Sequence, residues 1–264
     1  MEIKFCSLSS GSSGNCQYIE TNKTKILIDA GFSGKKIELL LKSIDVEPSS
    51  IDAILVTHEH IDHVKGVGIL SRRYGIPVYG NKNTWNAMTP SIKEVKSENQ
   101  KVFNTNKFFH LNDLDVLPFM ISHDSVEPVG YIILYKNKKI SIITDTGWVN
   151  DNTKRLLKGS NLYFMESNHD LSMLRQGLYP WHLKKRIMST KGHLSNDDAG
   201  MILGDVLSGF GETVLLAHLS QDNNRPEIAY NTVRNTIKTR GLDADKDINL
   251  GLTFRDKTTC IYTL

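Results

Sequence analysis

The sequence is poor in cysteine and has no long hydrophobic run. Its three cysteines (Cys6, Cys16 and Cys260) are odd in number and widely spaced, so they form neither a CxxC metal motif nor a disulfide framework. No apolar run approaches the roughly 20 residues that span a bilayer, and the segment MEIKFCSLSS lacks the apolar centre of a secretion signal. These absences predict a cytoplasmic protein with no membrane partner.

A strong charge of either sign, an internal repeat and a low-complexity tract are also missing. The formal net charge of +3 indicates no particular partner. The 264 residues include 39% hydrophobic and 23% charged residues, which is the composition of a globular chain with a real core. We predict a single domain over residues 1–264, and the sequence leaves the oligomeric state open.

Short apolar runs alternate with helical patterns along most of the chain. We expect strands at residues 3–8, 16–20, 25–29, 51–56, 162–165, 213–218 and 259–263. Helices are expected at residues 34–43, 64–74, 197–207 and 226–239. The middle sections 107–123 and 129–144 are rich in strand patterns. Together these elements predict a layered α/β sandwich.

Titratable groups are concentrated in the segment THEHIDH, which follows the apolar run 51–56. This segment holds three of the nine histidines of the chain. His58 and His60 are two residues apart, so an extended backbone directs both imidazoles to the same side. Asp62 and His63 follow at the expected bend into a helix. Clustered imidazoles and carboxylates at this spacing are typical of metal ligands.

These four residues cannot complete two metal sites, so further ligands must come from elsewhere. His123, Asp145 and His218 each follow an apolar run, at residues 116–122, 140–144 and 213–217. Open α/β sheets place their sites at the carboxyl ends of strands. We therefore expect these three residues to join the metal site.

The order HxHxDH, a distant histidine, the motif TDTG and a last histidine resembles the metallo-β-lactamase-fold hydrolases. The resemblance spans nearly the whole chain and implies a four-layer αββα sandwich with two divalent ions, zinc, manganese or iron. It also implies that a metal-bound hydroxide is the nucleophile, with Asp62 orienting its proton. The implied ligands are His58, His60 and His123 for one ion, Asp62, His63 and His218 for the other, and Asp145 as the bridge.

The motifs ESNHD and GHLS resemble those of phosphodiesterase members of this fold, such as tRNA 3′-processing nucleases. The resemblance implies that His193 is a general acid or phosphate ligand and that Glu166 is its partner. The alternative interpretation is that His193 and Ser195 only cap a helix. His169 is expected either at the surface or behind the site.

Three further segments are candidates for substrate contact. Turn amides and hydroxyls of the run SSGSSGN can bind phosphate, although a plain hairpin turn is the simpler alternative. Residues 171–196 carry five cations, no acid, and the aromatic residues Tyr179 and Trp181, which suits a nucleic-acid path or merely a solvated face. The segment HLSQDNNRPE lies near the metals or forms a polar turn. The candidate residues are Ser12, Ser13, Asn15, Lys184, Lys185, Arg186 and Asn224.

The motifs SGSSGN, THEHIDHVKG, HDSVEPVGY, TDTG, ESNHD, GHLSN and HLSQDNNRPE together resemble the narrower YycJ/WalJ group. That resemblance implies a metal-dependent DNA exonuclease, acting 5′ to 3′ on duplex DNA, with a role in DNA repair. Two other functions stay open. One is a metallohydrolase of a small anionic ester, thioester or cyclic nucleotide, and the other is a regulatory binding protein built on the same scaffold.

Overall fold

The structure is a computed structural model that describes residues 2–264. Among these residues, no helix is both long and apolar enough to cross a membrane. In chain order the elements are β1 (Lys4–Ser9), β2 (Cys16–Glu20), β3 (Lys25–Ile28), α1 (Gly34–Lys42), β4 (Ala53–Leu55), α2 (Ile61–Val64), α3 (Val67–Tyr74), β5 (Val78–Asn81), α4 (Lys82–Ile92), β6 (Gln100–Phe103), β7 (Phe109–Leu111), β8 (Leu114–Met120), β9 (Val129–Tyr135), β10 (Lys138–Ile143), α5 (Asp151–Leu157), β11 (Leu162–Glu166), α6 (Leu171–Gln176), α7 (Trp181–Ile187), α8 (Asn196–Val206), β12 (Glu212–Ala217), α9 (Pro226–Thr239), β13 (Ile248–Leu252) and β14 (Tyr262–Thr263).

The described chain divides into two compact units. Unit 1 comprises residues 2–120, Ser125–Val129 and Phe254–Leu264. Its main sheet has the order β14-β1-β2-β3-β4-β5-β6, and the four strands from β3 to β6 are parallel. Strands β7 and β8 form an antiparallel hairpin. Because β3 and β4 are parallel, the residues that follow them emerge at the same edge of the sheet.

The core of unit 1 lies under two amphipathic helices. Helix α1 buries Ile37, Leu40 and Leu41, which recur at helical spacing, and α3 buries Val67 and Leu70 in the same way. Each such side chain contributes about 1.5–3 kcal/mol when fully buried. This packing fixes α1, which follows β3, and α3, which follows the THEHIDH segment. It therefore also holds the loops that lead into these two helices.

Unit 2 comprises residues Ile121–Asp124 and Gly130–Thr253. Its strands β9 to β13 follow the order β13-β12-β11-β10-β9, and β10, β11, β12 and β13 are parallel. Helices α8 and α9 bury Ala199, Leu203, Ala229, Val233 and Ile237. The parallel register brings the carboxyl ends of β10, β11 and β12 to one edge.

The structure confirms most predicted elements and corrects others. The strand at Cys16–Glu20 and the helix at Pro226–Thr239 have the predicted bounds. The helix predicted at residues 64–74 is instead two helices, α2 and α3, and the final strand is only Tyr262–Thr263. The expectation of one domain over residues 1–264 stays a prediction.

Seven elements were not predicted: β5, α4, β6, α5, α6, α7 and β13. Helix α4 shows why, because its sequence KNTWNAMTPSI contains Pro90 and several weak helix formers. Its start is set instead by Asn81, whose side chain accepts a hydrogen bond from the Thr84 amide at 2.8 Å. Tertiary context therefore overrides a weak local signal.

Candidate metal centre and general acid

His58 and His60 lie in the loop between β4 and α2 of unit 1. Strand β4 ends at Leu55, and His60 keeps an extended backbone with φ −60° and ψ 145° before α2 begins. The two rings approach through Nε2 of His58 and Nδ1 of His60, which are 3.1 Å apart. Two imidazole nitrogens that share a tetrahedral zinc ion at about 2.0–2.1 Å lie about 3.3 Å from each other. The donor pair therefore fits a common divalent ion.

Asp62 and His63 lie in the short helix α2, as the predicted bend requires. Asp62 is in its first turn, and its Oδ2 is 3.7 Å from Nε2 of His63. The His63 side chain is fully buried, whereas that of Asp62 is 22% exposed. These two residues present a second pair of ligand atoms next to the histidine pair in the chain.

Asp29 supports His63 and was not predicted as a site residue. It follows β3 with a left-handed backbone (φ +62°), and its Oδ2 lies 2.8 Å from Nδ1 of His63. The carboxylate also accepts hydrogen bonds from the Thr57 amide and hydroxyl, each at 2.8 Å. Burial raises the pKa of the Asp29 carboxyl. The contact fixes Nδ1 of His63, so Nε2 is the ring nitrogen that would bind an ion.

The Ser/Gly run forms the hairpin turn between the antiparallel strands β1 and β2. Ser12 and Ser13 are exposed at its tip. Asn15 is buried, and its amide nitrogen Nδ2 lies 3.0 Å from Nε2 of His63. The Asn15 backbone amide also donates to the Asp62 carbonyl at 2.8 Å. The turn is thus fixed against the metal motif, and phosphate contact by these residues stays a prediction.

Unit 2 gathers four ionisable side chains from four separate segments. Asp145, Glu166, His193 and His218 each offer an atom within 4.8 Å of the others. Asp145 and His218 have left-handed backbones, with φ of +56° and +55°, a conformation that is uncommon for residues other than glycine. Nδ1 of His218 lies 3.0 Å from Oδ2 of Asp145. The predicted strand-end residues of this unit therefore do converge.

His193 and Glu166 form the shorter of two histidine–carboxylate hydrogen bonds in this group. Nδ1 of His193 lies 2.7 Å from Oε1 of the fully buried Glu166. The other carboxylate oxygen accepts hydrogen bonds from the amides of Thr146 and Leu194, at 2.8 and 3.3 Å. Burial lowers the pKa of His193, but the carboxylates of Glu166 and Asp145 outweigh it and raise the pKa to about 9. The two carboxylates therefore favour the protonated form of the His193 ring.

Close backbone packing fixes the loop that carries His193. A Cβ atom at Gly147, in the TDTG turn, would lie 2.2 Å from the Ser189 carbonyl oxygen. A Cβ atom at Gly192 would lie 2.1 Å from the Ile187 carbonyl oxygen. Neither position has room for a side chain, so the two glycines allow this loop to approach the carboxyl end of β10.

His123 follows β8 in the segment Ile121–Asp124 of unit 2 and is buried. Its Nδ1 lies 3.3 Å from the Gly192 carbonyl oxygen and donates to it, which leaves Nε2 as the ligand atom. Burial lowers the pKa of His123. A neutral ring with one fixed nitrogen is the form that binds a metal.

The structure separates the other candidates by their contacts. Lys184 is buried, and its ammonium donates to the carbonyls of Arg175 and Gly177 at 2.8 and 2.7 Å. Asn224 is also buried, and its Nδ2 donates to the backbone of Ser167 and Asn168. These contacts favour the polar-turn alternative for Asn224, and its role in substrate binding stays a prediction.

Lys185 and Arg186 are exposed, and Arg186 pairs with Asp124. Ser195 caps α8, with a reciprocal hydrogen bond to Asp198, so the capping prediction holds for the serine. His169 is 1% exposed, and neither ring nitrogen has a hydrogen-bond partner. Burial lowers the pKa of His169 to about 4. The histidine therefore lies inside unit 2 and not at its surface.

Comparison with known proteins assigns the fold and the class of the chain. Residues 10–193 match the metallo-beta-lactamase superfamily. A crystal structure of the metallo-beta-lactamase fold protein YhfI from Bacillus subtilis covers 100% of both chains with a TM-score of 0.72 at 14% identity. Human tRNase Z, short form, covers 98% of this chain and 99% of its own with a TM-score of 0.64 at 17% identity. The predicted α/β sandwich is confirmed.

The chain belongs to the metallo-β-lactamase superfamily and is a metal-dependent hydrolase that binds divalent metal. Within this class it is 43% identical over 241 residues to Exodeoxyribonuclease YycJ of Bacillus anthracis, which covers 91% of each chain. It is 42% identical over 255 residues to Exodeoxyribonuclease WalJ of Streptococcus pneumoniae, which covers 96% of this chain and 93% of the relative. The predicted likeness to the YycJ/WalJ group is confirmed.

Proposed function

We propose that the protein is a metal-dependent exonuclease that cleaves phosphodiester bonds at the ends of DNA. The main structural support is the contact of 2.7 Å between His193 and Glu166, in a group that also contains Asp145 and His218. Such a pair supplies a proton at a site that also offers metal ligands. The 42–43% identity to proteins named exodeoxyribonucleases supports DNA as the substrate.

In this proposal the protein holds two divalent ions. Bound ions of this kind lower the pKa of water and polarise phosphoryl oxygens. The imidazole-rich donors suit zinc, and the carboxylates also suit manganese or iron. Following the resemblance to the superfamily, the ligands are His58, His60 and His123 for one ion, Asp62, His63 and His218 for the other, and Asp145 for both.

His193 protonates the departing oxygen of the cleaved bond. Its Nδ1 is occupied by Glu166, so the proton on Nε2 is the one that can be transferred. Because the pKa of His193 is raised to about 9, the ring carries this proton at neutral pH. Glu166 fixes the tautomer and the direction of the ring, and a positioned general acid contributes about 10²–10⁴-fold to the rate.

Substrate contacts in this proposal come from exposed groups near the site residues in the chain. Ser12 and Ser13 offer hydroxyls at the hairpin tip, and Lys185 and Arg186 offer cations on α7. Cleavage from 5′ to 3′ and a role in DNA repair belong to the same proposal. The proposed compartment is the cytoplasm, because Cys6, Cys16 and Cys260 are all free thiols.

Digestion of end-labelled duplex DNA by the metal-loaded protein tests this function. We expect release of labelled mononucleotide from the 5′-labelled strand first, and loss of activity with a chelator or in Asp62→Ala. In His193→Ala we expect kcat to fall about 10²–10⁴-fold with unchanged metal content. His110→Ala is the matched control, because this histidine is 82% exposed in unit 1.

Two results would overturn the proposal. One is intact DNA alongside turnover of a small carboxylic ester, thioester or cyclic nucleotide, which would make the protein a hydrolase of small anions. The other is full physiological function in Asp62→Ala, which would favour a binding protein on this scaffold.

A further inference from the structure

Trp181 is a large aromatic side chain on the surface of unit 2. It is the first residue of α7 and 59% exposed. The ammonium of Lys185, one helical turn later, lies 5.6 Å from the centre of its ring. An exposed aromatic face beside a cation is the combination that stacks nucleobases and attracts the phosphates between them.

Helix α7 holds this pair in a fixed position. The buried Lys184 binds the carbonyls of Arg175 and Gly177 at the end of α6, so it anchors α7 from its inner side. Trp181 and Lys185 are both exposed. A seven-residue helix on its own would fray, and the Lys184 contacts tie α7 to the end of α6. A rigid aromatic side chain loses little conformational entropy when a base stacks on it.

The carboxyl end of α7 leads directly to the proposed general acid. The His193 amide donates to the Ile187 carbonyl at 2.9 Å, and Gly192 packs against the same carbonyl. From Trp181 to Ile187 the helix rises about 9 Å at about 1.5 Å per residue. Because a strand of B-DNA rises about 3.4 Å per nucleotide, this distance equals about three nucleotides.

The segment that carries the pair is rich in cations. Residues 171–196 contain Arg175, Lys184, Lys185, Arg186 and Lys191 but neither aspartate nor glutamate. Arg175, Lys185 and Lys191 are exposed. Tyr179 is half-buried, and its hydroxyl donates to Asp222 at 2.7 Å. Trp181 is therefore the aromatic residue of this segment with a face most open to a ligand.

We propose that Trp181 and Lys185 form a stacking platform for one base of the DNA strand, about three nucleotides from the bond that is cleaved. This inference rests on the proposed function and adds a subsite to it. The platform holds the strand in place while its end lies at His193. It favours ends with a single-stranded overhang, because an unpaired base can leave its neighbours and stack on the indole.

Fluorescence of 2-aminopurine in the DNA tests the platform, because stacking on an aromatic ring quenches this base. The probe is placed at the second, third or fourth nucleotide of an overhang, and in a control strand at the tenth. Phosphorothioates at the terminal linkages slow cleavage, so that the metal-loaded protein can be studied. We expect strong quenching near the third position and little at the tenth.

The variants separate stacking from general loss of binding. We expect Trp181→Leu to abolish the quenching and to weaken binding roughly tenfold to hundredfold, whereas Trp181→Phe keeps most of both. Lys185→Gln weakens binding less and makes it less dependent on salt. Phe210→Leu is the control, because this residue is 91% exposed and precedes β12, at the opposite end of that strand from His218.

Unchanged quenching and affinity in Trp181→Leu would overturn the platform. So would loss of quenching in Trp148→Leu instead, because Trp148 is 55% exposed in the loop after β10. These outcomes differ from failure of the proposed function. In that case the wild-type protein binds and quenches the probe but leaves unmodified DNA intact.

Discussion

Each unit contains a buried carboxylate that lies within 2.8 Å of Nδ1 of a histidine, and the two pairs support different roles. In unit 1, Asp29 lies 2.8 Å from His63, and in unit 2, Glu166 lies 2.7 Å from His193. The His63 side chain is fully buried, whereas that of His193 is 22% exposed. Similar contacts can therefore support a metal ligand or a proton donor, depending on what reaches Nε2 of the ring.

Neighbouring groups reinforce this difference. Thr57 donates two hydrogen bonds to Asp29, which stabilise its charge next to a single histidine. His193 has a second carboxylate nearby, because Oδ1 of Asp145 lies 3.9 Å from its Nδ1. Two carboxylates beside one imidazole favour the protonated ring. We infer that Glu166 holds His193 as an acid and that Asp29 holds His63 as a ligand.

Removing the charge of Glu166 has the largest expected effect on activity. Burial lowers the pKa of His193 and Glu166 raises it to about 9, so Glu166→Gln lets this pKa fall. The ring then loses its proton at a lower pH, and the rate loss grows as the pH rises. We expect kcat to decrease about 10²-fold or more at alkaline pH with unchanged metal content, as measured by a pH profile of kcat.

Glu212→Gln controls for the loss of a buried carboxylate in unit 2. Glu212 is 8% exposed at the amino end of β12, where it accepts hydrogen bonds from the Ser208 and Phe210 amides. Substitution of Glu212 by glutamine should leave the pH profile of kcat unchanged. A basic limb that stays at the wild-type pH in Glu166→Gln would contradict the assignment of His193 as the acid.

Asp29→Asn is expected to act on the metal. Loss of the partner of a metal-binding histidine typically weakens metal affinity or activity by about 10–100-fold. Added metal should restore the rate, and the pH profile should keep its shape. Competition with a chelator of known affinity measures the change. If excess metal does not restore the activity of Asp29→Asn, Asp29 does not act by supporting a metal ligand, and the proposed difference between the two carboxylate pairs is wrong.

In unit 1, the metal ligands are easier to predict from the sequence than the residue that supports them, Asp29. His58, His60, Asp62 and His63 all lie within one segment of six residues, so local spacing is enough to find them. Asp29 is 29 residues earlier than His58, and only the parallel pairing of β3 with β4 brings it to His63. The sequence does contain a signal for Asp29, which is an acid directly after an apolar run. The same pattern predicts Asp145 as a site residue.

The site and the surface of unit 2 are harder to predict from the sequence, because they depend more on tertiary structure. His123, Asp145 and His218 could be proposed from their positions after apolar runs, and Glu166 and His193 from the resemblance. The surface was harder to predict, because a lysine in a basic run can point either way. Lys184 is buried against α6 while Lys185 is exposed beside Trp181, and residue spacing alone does not identify α7 as a helix.

His169 offers a third and smaller test of what a carboxylate partner does. It is buried in unit 2 like Glu166, but its ring nitrogens make no hydrogen bond. Burial lowers its pKa from the ordinary value of 6.5 to about 4. Between pH 6.5 and 4, His169 is therefore protonated in the unfolded chain but neutral in the folded protein. The free energy of unfolding consequently decreases as the pH falls from 6.5 towards 4. The loss is on the order of 3 kcal/mol at the acid end.

We expect His169→Gln to remove this part of the acid destabilisation, so that its unfolding free energy depends less on pH between 6.5 and 4 than that of the wild type. Near pH 7.5 its catalytic rate should change little, because the ring is neutral there and contacts no proposed ligand through a hydrogen bond. Urea unfolding at a series of pH values measures the slope, with the exposed His110→Gln as control. A slope equal to that of the wild type would mean that the protein stabilises protonated His169, and the contrast with His193 would then need a cause other than the carboxylate.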